Sequence, residues 1–222
     1  MFNFDLDPIR IIGVMLGFII GTTIHEFMHA YSAVMLGDNS PRRAGRVTLN
    51  PVAHFDPLGF FMFVLLALGL GFFAWGRPVM VNPSALRGGR KGMAIVALAG
   101  PASNLVIATV LGLPFRVGVA DQLPSQVGDV IGYIVFVNVL LFAFNLIPLP
   151  PLDGFTVMTG LVSNYWAMLM EPLRRYGPAL LMLLIFVPYF LPGALNFNIL
   201  ARVLGPVMAV INAAIGGGRL PV

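Results

Sequence analysis

The amino-acid sequence predicts an all-α polytopic membrane protein of about five to six transmembrane helices, with a re-entrant segment and a small β element after the first helix. Three observations carry this expectation. Only 10% of the 222 residues are charged and 58% are hydrophobic, whereas a soluble domain carries about 25% charged residues. The mean hydropathy is +0.90. The apolar residues also fall into runs approaching the roughly 20 residues that a crossing helix needs, separated by short connections rich in Gly, Pro and Arg. A water-soluble enzyme and a disordered tail are excluded.

The apolar runs set the order of the elements. The first covers about residues 9–36 and is interrupted only by His25, Glu26 and His29. A second, 58–75, is short and carries Gly69 and Gly71. A third covers about 93–113, and a fourth, 129–147, is closed by Pro148, Pro150 and Pro151. After a stretch holding Tyr165 and Trp166, suited to a membrane interface or to a packed helix, come the runs 178–191 and 197–215. No connection is long enough to join separate folded domains. The expectation is one integral-membrane domain over 1–222, with a core at about 9–154 and accessory helices at about 155–222. Two acids precede Arg10, unlike the basic start of a cleaved signal peptide, so the first run is expected to stay in the mature chain.

Residues 45–51 and 76–83 echo each other: each opens on Gly-Arg, contains β-branched residues and ends in Asn-Pro. They read either as unrelated interfacial loops or as two short strands flanking the second run. Paired strands would bring both ends of residues 58–75 to one side, and an exposed edge could hold an unwound peptide.

The net charge is +4, and 12 of the 13 basic residues are Arg spread over several connections. That distribution suits orientation at a lipid surface and not nucleic acid. Residues 37–57 and 76–92 hold most of these charges, which places that end of the molecule toward the cytoplasm.

Cysteine is absent, so a bound metal must be held by His, Asp or Glu. Seven of the nine acids lie at the ends of apolar runs or in connections; Glu26 and Asp153 sit within or against sequence at membrane depth. Charge there is costly and marks function. His25-Glu26-Phe27-Met28-His29 is an HExxH motif. On a helix its two imidazoles share a face and can reach one metal, and the glutamate can act as general base on a metal-bound water. A catalytic zinc site requires a third ligand. Elimination leaves Asp153, with His54 in a Pro-bounded loop as a competing ligand, a group that supports a ligand, or a gate.

Direction adds a constraint. His25 lies about 24 Å along its helix from residue 9, and residue 147 lies about 27 Å along its run from Asp129. His25 and Asp153 can therefore meet only if these helices run the same way, with an odd number of crossings between them. The 93–113 run supplies one, so residues 58–75 are expected to turn back without crossing.

The HExxH motif together with Asn145-Leu146-Ile147-Pro148-Leu149-Pro150-Pro151-Leu152-Asp153-Gly154, an NxxPxPxLDG signature, resembles the site-2 protease family (peptidase family M50) of intramembrane zinc metalloproteases. Gly100-Pro101-Ala102-Ser103-Asn104 is similar to a GPxxN turn found in that family. The resemblance spans residues 21–154 and points to the compact branch without PDZ or CBS domains. It implies one zinc ion per chain held by His25, His29 and Asp153, with Glu26 as base and Asn145 as a substrate-binding or carbonyl-polarising group. It further implies hydrolysis of peptide bonds in or near transmembrane helices of membrane-protein substrates. The rival classes are a metal-ion transporter, which needs a polar path that the last two runs scarcely offer, and a non-proteolytic membrane-protein-binding homologue.

Overall fold

The computed structural model describes residues 7–68, 74–190 and 199–217. These are nearly all helical, with no β-strand among them. Helix α1 (Pro8–Met35) begins where the Asp7 side chain accepts a hydrogen bond from the Ile9 N–H at 3.0 Å, with Pro8 in the first turn. The cap satisfies a donor the helix cannot, and proline loses nothing there. One turn, α2 (Ser40–Arg43), and the 11-residue α3 (Pro57–Ala67) follow. Then come α4 (Gly89–Arg116) and α5 (Ser125–Asn145), and after the proline-rich break α6 (Asp153–Leu161), α7 (Asn164–Met170), α8 (Leu173–Phe190) and α9 (Ile199–Gly216).

Three helices, α1, α4 and α5, are long and apolar enough to cross a membrane; the chain is a membrane protein. The two last apolar runs correspond to α8 and α9, so five to six crossings exceed the three that length and apolarity support among the described residues.

Helices α1 and α5 run parallel. A Cβ on Gly13 would lie 2.6 Å from Cβ of Tyr133, on Gly17 3.0 Å from Cα of Ile134, and on Gly21 2.8 Å from Oδ1 of Asn138. Glycine at every fourth position lets two backbones touch where lipid offers no hydrophobic drive. Helix α4 is antiparallel to α1, since His29 reaches Val96 while His25 reaches Asn104. One traverse thus separates two parallel helices. Behind them, Ala108 of α4 and Val135, Val139 and Ala143 of α5 pack with Leu204, Met208 and Ile215 of α9.

The expected β element is absent among the described residues. Each Asn-Pro instead starts a 3-10 turn, in which Asn50 accepts from the Val52 N–H and Asn82 from the Ser84 N–H, both at 3.1 Å. The echo is genuine, but it encodes side-chain-capped turns, which compete with ladder pairing for the same backbone groups. A single antiparallel bridge joins Phe55 to Gly76, with Arg77 donating its N–H to the His54 carbonyl at 2.8 Å.

That bridge brings together the two ends of the stretch 56–75. Asp56 caps α3 through the N–H groups of Leu58 and Gly59, and a Cβ on Gly59 would fall 2.1 Å from the Trp75 carbonyl oxygen. The two feet of the segment therefore meet. At about 16 Å, α3 is too short to span a bilayer core. Gly69 and Gly71 lie outside the described residues, as does Asp5. Tyr165 and Trp166 stand on α7 at 63% and 51% exposure, which removes the packed-core alternative.

Candidate metal centre

His25 and His29 lie one turn apart on the buried face of α1. Their Nε2 atoms are 2.9 Å apart, and Oδ2 of Asp153 stands 3.1 Å from the first and 3.3 Å from the second. These three residues form a group that could hold a metal ion. Ligands bound tetrahedrally at about 2.0–2.1 Å stand about 3.3–3.4 Å apart, so the group would open by up to about 0.5 Å to receive an ion of that size.

The hydrogen bonds behind the imidazoles explain why the group can receive a cation. The Nδ1–H of His29 is donated to the Val96 carbonyl at 2.7 Å. That of His25 goes to Oδ1 of Asn104, also at 2.7 Å. A carbonyl only accepts, so the proton of each neutral ring is on Nδ1 and each Nε2 presents a lone pair. Two lone pairs and a carboxylate oxygen within 3.3 Å of one another repel unless a proton or a metal cation lies among them.

The orientation of Asn104 is itself fixed. Its Nδ2 donates to the Gly21 carbonyl at 3.1 Å and to Oδ1 of Asn138 at 3.0 Å. Asn138 in turn donates to the Ile134 carbonyl at 2.9 Å. Both asparagines are fully buried, so a relay of amides from α5 through α4 sets the His25 ring. Partners of this kind hold the tautomer and ring plane of a metal ligand. Sequence reasoning noted Asn104 only within its turn and did not single out Asn138. A buried amide at membrane depth was the available signal.

Two glycines make room. A Cβ on Gly100 would lie 2.4 Å from Nε2 of His29 and 2.7 Å from Nε2 of His25, against both ligating nitrogens. A Cβ on Gly154 would lie 2.2 Å from the Leu146 carbonyl oxygen, so glycine lets α6 fold back on the end of α5 and deliver Asp153 at its first residue. At the far end of α6, Arg90 of α4 donates to the Val162 carbonyl at 2.9 Å and to Oδ1 of Asn164 at 2.7 Å.

Glu26 follows His25 and is largely buried. Its Oε2 has no hydrogen-bond partner and stands 3.8 Å from Nη2 of Arg46. His54 is not brought into the metal group. It is fully buried, donates Nε2–H to the Thr48 carbonyl at 2.7 Å and presents Nδ1 to Arg46 at 3.5 Å. Asn145, last residue of α5, donates its amide to the Leu141 carbonyl at 2.9 Å.

Membrane-length helices surrounding a His–His–Asp group define a membrane protein with a site able to hold a metal ion. The chain is 33% identical over 190 residues to the Bacillus subtilis protein described as "Putative zinc metalloprotease YwhC", with 83% of each chain covered. It is 29% identical over 190 residues to the zinc metalloprotease of like description Rip2 from Mycolicibacterium smegmatis, covering 82% of this chain and 71% of that one. Rip2 of Mycobacterium tuberculosis is 26% identical over 176 residues, covering 79% and 67%. The chain belongs to the family of these zinc metalloproteases. No family model matches it, and no solved structure does.

Proposed function

We propose that the chain is an intramembrane zinc metalloprotease of the site-2 type, with one zinc ion per chain, that hydrolyses peptide bonds in or beside transmembrane helices of membrane-protein substrates. The observation that carries this reading is the meeting of Nε2 of His25, Nε2 of His29 and Oδ2 of Asp153 within 3.3 Å, with Glu26 beside them on the same helix. His25, His29 and Asp153 are the ligands.

When bound, zinc supplies Lewis-acid polarisation of the scissile carbonyl and lowers the pKa of a coordinated water. Glu26 takes the proton from the attacking water and passes it to the leaving amine. The burial of both histidines, 7% and 8% exposed, keeps bulk water from competing with these contacts. Asn145 is placed at the mouth of the proline-rich break, where an amide can serve a substrate backbone that has left its own helix.

The segment between the bridged residues Phe55 and Gly76 is read as re-entrant, entering and leaving on one side. The exposed Arg42, Arg43, Arg77 and Arg87 of the two connections, with Lys91 in the first turn of α4, support a site that faces the cytoplasmic side of a cell membrane. Its partners are the lipid bilayer and a transmembrane substrate.

The test is to purify the protein in detergent, measure bound zinc, and assay Glu26→Gln and Asp153→Ala on a panel of transmembrane peptides. Glu26→Gln should keep zinc and lose cleavage; Asp153→Ala should lose zinc. Full cleavage by Glu26→Gln would reject the reading.

A further inference from the structure

We infer that Arg46 is the positioning residue of the Glu26 carboxylate, and that His54 holds Arg46 in that position. The inference rests on Glu26 acting as the base of the function proposed above.

Arg46 lies in the connection after α2, far in sequence from Glu26 and Arg77. It is only 7% exposed. A guanidinium is buried at a cost unless acceptors and an opposite charge surround it. Here the compensating groups all gather on Nη2. It donates to the Arg77 carbonyl, faces Nδ1 of His54 at 3.5 Å and stands 3.8 Å from Oε2 of Glu26, with the two side chains 9% and 13% exposed. Nε of Arg46 and Oε2 of Glu26 are both buried without a hydrogen-bond partner. A charge pair this enclosed is poorly screened, so the guanidinium dictates where the carboxylate rests.

His54 is suited to hold the arginine and not to ligate a metal. Its Nε2–H is committed to the Thr48 carbonyl, which leaves Nδ1 of the neutral ring as an acceptor aimed at Arg46. The second anchor, the Arg77 carbonyl, belongs to the strap bridged to residues 54 and 55. That strap also approaches the other carboxylate oxygen, because a Cβ on Gly76 would sit 3.6 Å from Oε1 of Glu26. The carboxylate is thus bracketed, with Arg46 at Oε2 and the strap at Oε1. A general base works only from a fixed position within reach of the proton it removes, and glutamate's flexible side chain does not hold one unaided.

The chain has two glutamates, Glu26 and Glu171, so protein labelled with carbon-13 at the glutamate carboxyl gives two signals that Glu26→Gln assigns. In metal-free protein, Arg46→Gln and His54→Leu should shift the Glu26 signal and leave that of Glu171 in place. In zinc-loaded protein, on the transmembrane peptide that the unsubstituted protein cleaves best, Arg46→Gln should lower kcat about 10- to 100-fold. Zinc content and KM should hold, and Arg46→Lys should recover part of the rate. An unmoved Glu26 signal overturns the inference, as does loss of zinc, or a raised KM at unchanged kcat. Cleavage by Glu26→Gln would instead reject the base, while the carboxyl signal still reports on the contact.

Discussion

The Nδ1–H of His25 is donated to Oδ1 of Asn104, 2.7 Å away on an antiparallel helix. This bond joins the first half of the candidate site to the middle of the bundle, because Asn104 also donates to Gly21 and Asn138. Asn104→Leu should therefore act on metal binding and on packing together. Loss of a ligand's hydrogen-bond partner costs about 10- to 100-fold in metal affinity, and Asn138 would lose its donor, worth about 1–3 kcal/mol when buried. Competition with a chelator measures the first and a detergent unfolding curve the second. Unchanged zinc affinity would mean the ring is oriented by other contacts.

Gly100 offers a cleaner separation. In a helix interior Gly→Ala ordinarily stabilises by about 0.5–1 kcal/mol. At this position the new methyl would lie 2.4 Å from Nε2 of His29 and 2.7 Å from Nε2 of His25, against both ligating atoms. Gly100→Ala should leave helical circular dichroism intact and abolish zinc binding. Retained zinc at one ion per chain would show that the imidazoles bind from another direction.

The chemistry of α1 was legible because the i, i+4 spacing of His25 and His29 fixes a shared face whatever surrounds the helix. The parallel run of α1 and α5 was legible as a counting argument, and the glycines at 13, 17 and 21 now give it a physical cause. Of the two readings of the Asn-Pro stretches, loops prevail over strands: Val47, Thr48, Val79 and Val81 favour strands, but Asn50 and Asn82 spend local N–H groups on capping their turns. Propensity lost to a side chain. Helix α6 went unforeseen because the prolines at 148, 150 and 151 mask where a new helix can start. Arg46 and His54 were separated from Glu26 by chain length alone, and no local pattern reports such a meeting.

The glycine row of α1 makes its own prediction. A side chain at Gly17 would press on Cα of Ile134 and Cβ of Val137, both 3.0 Å from its Cβ. Gly17→Leu should destabilise by about 1–3 kcal/mol and should also weaken zinc binding, since α1 carries both histidines while α5 leads into Asp153. Gly205→Ala, where nothing lies within 4 Å, is the control. The midpoint of unfolding in mixed detergent and the zinc affinity should fall together; a stability loss with full zinc affinity would show that the site tolerates a shift between these helices.

Asp38 ties the two basic connections together and makes stability depend on acid. Its side chain is buried at 1% exposure and accepts from the Ser40 N–H at 2.8 Å and the Asn82 N–H at 2.7 Å. Burial alone would raise its pKa, but the bonds from Ser40 and Asn82 and the charge of Arg43 outweigh it and hold the carboxyl below its ordinary value. A carboxyl depressed in the folded state stabilises fully above its unfolded pKa, about 3.9. That contribution is lost as pH falls through the lower folded value. Asp38→Asn keeps one acceptor and turns an amide toward the other N–H, at a cost of about 1–3 kcal/mol near neutral pH. The thermal midpoints of the two proteins should differ most above about pH 5 and draw together as the wild-type carboxyl is protonated. A gap of constant size across that range would assign the loss to shape and not to charge.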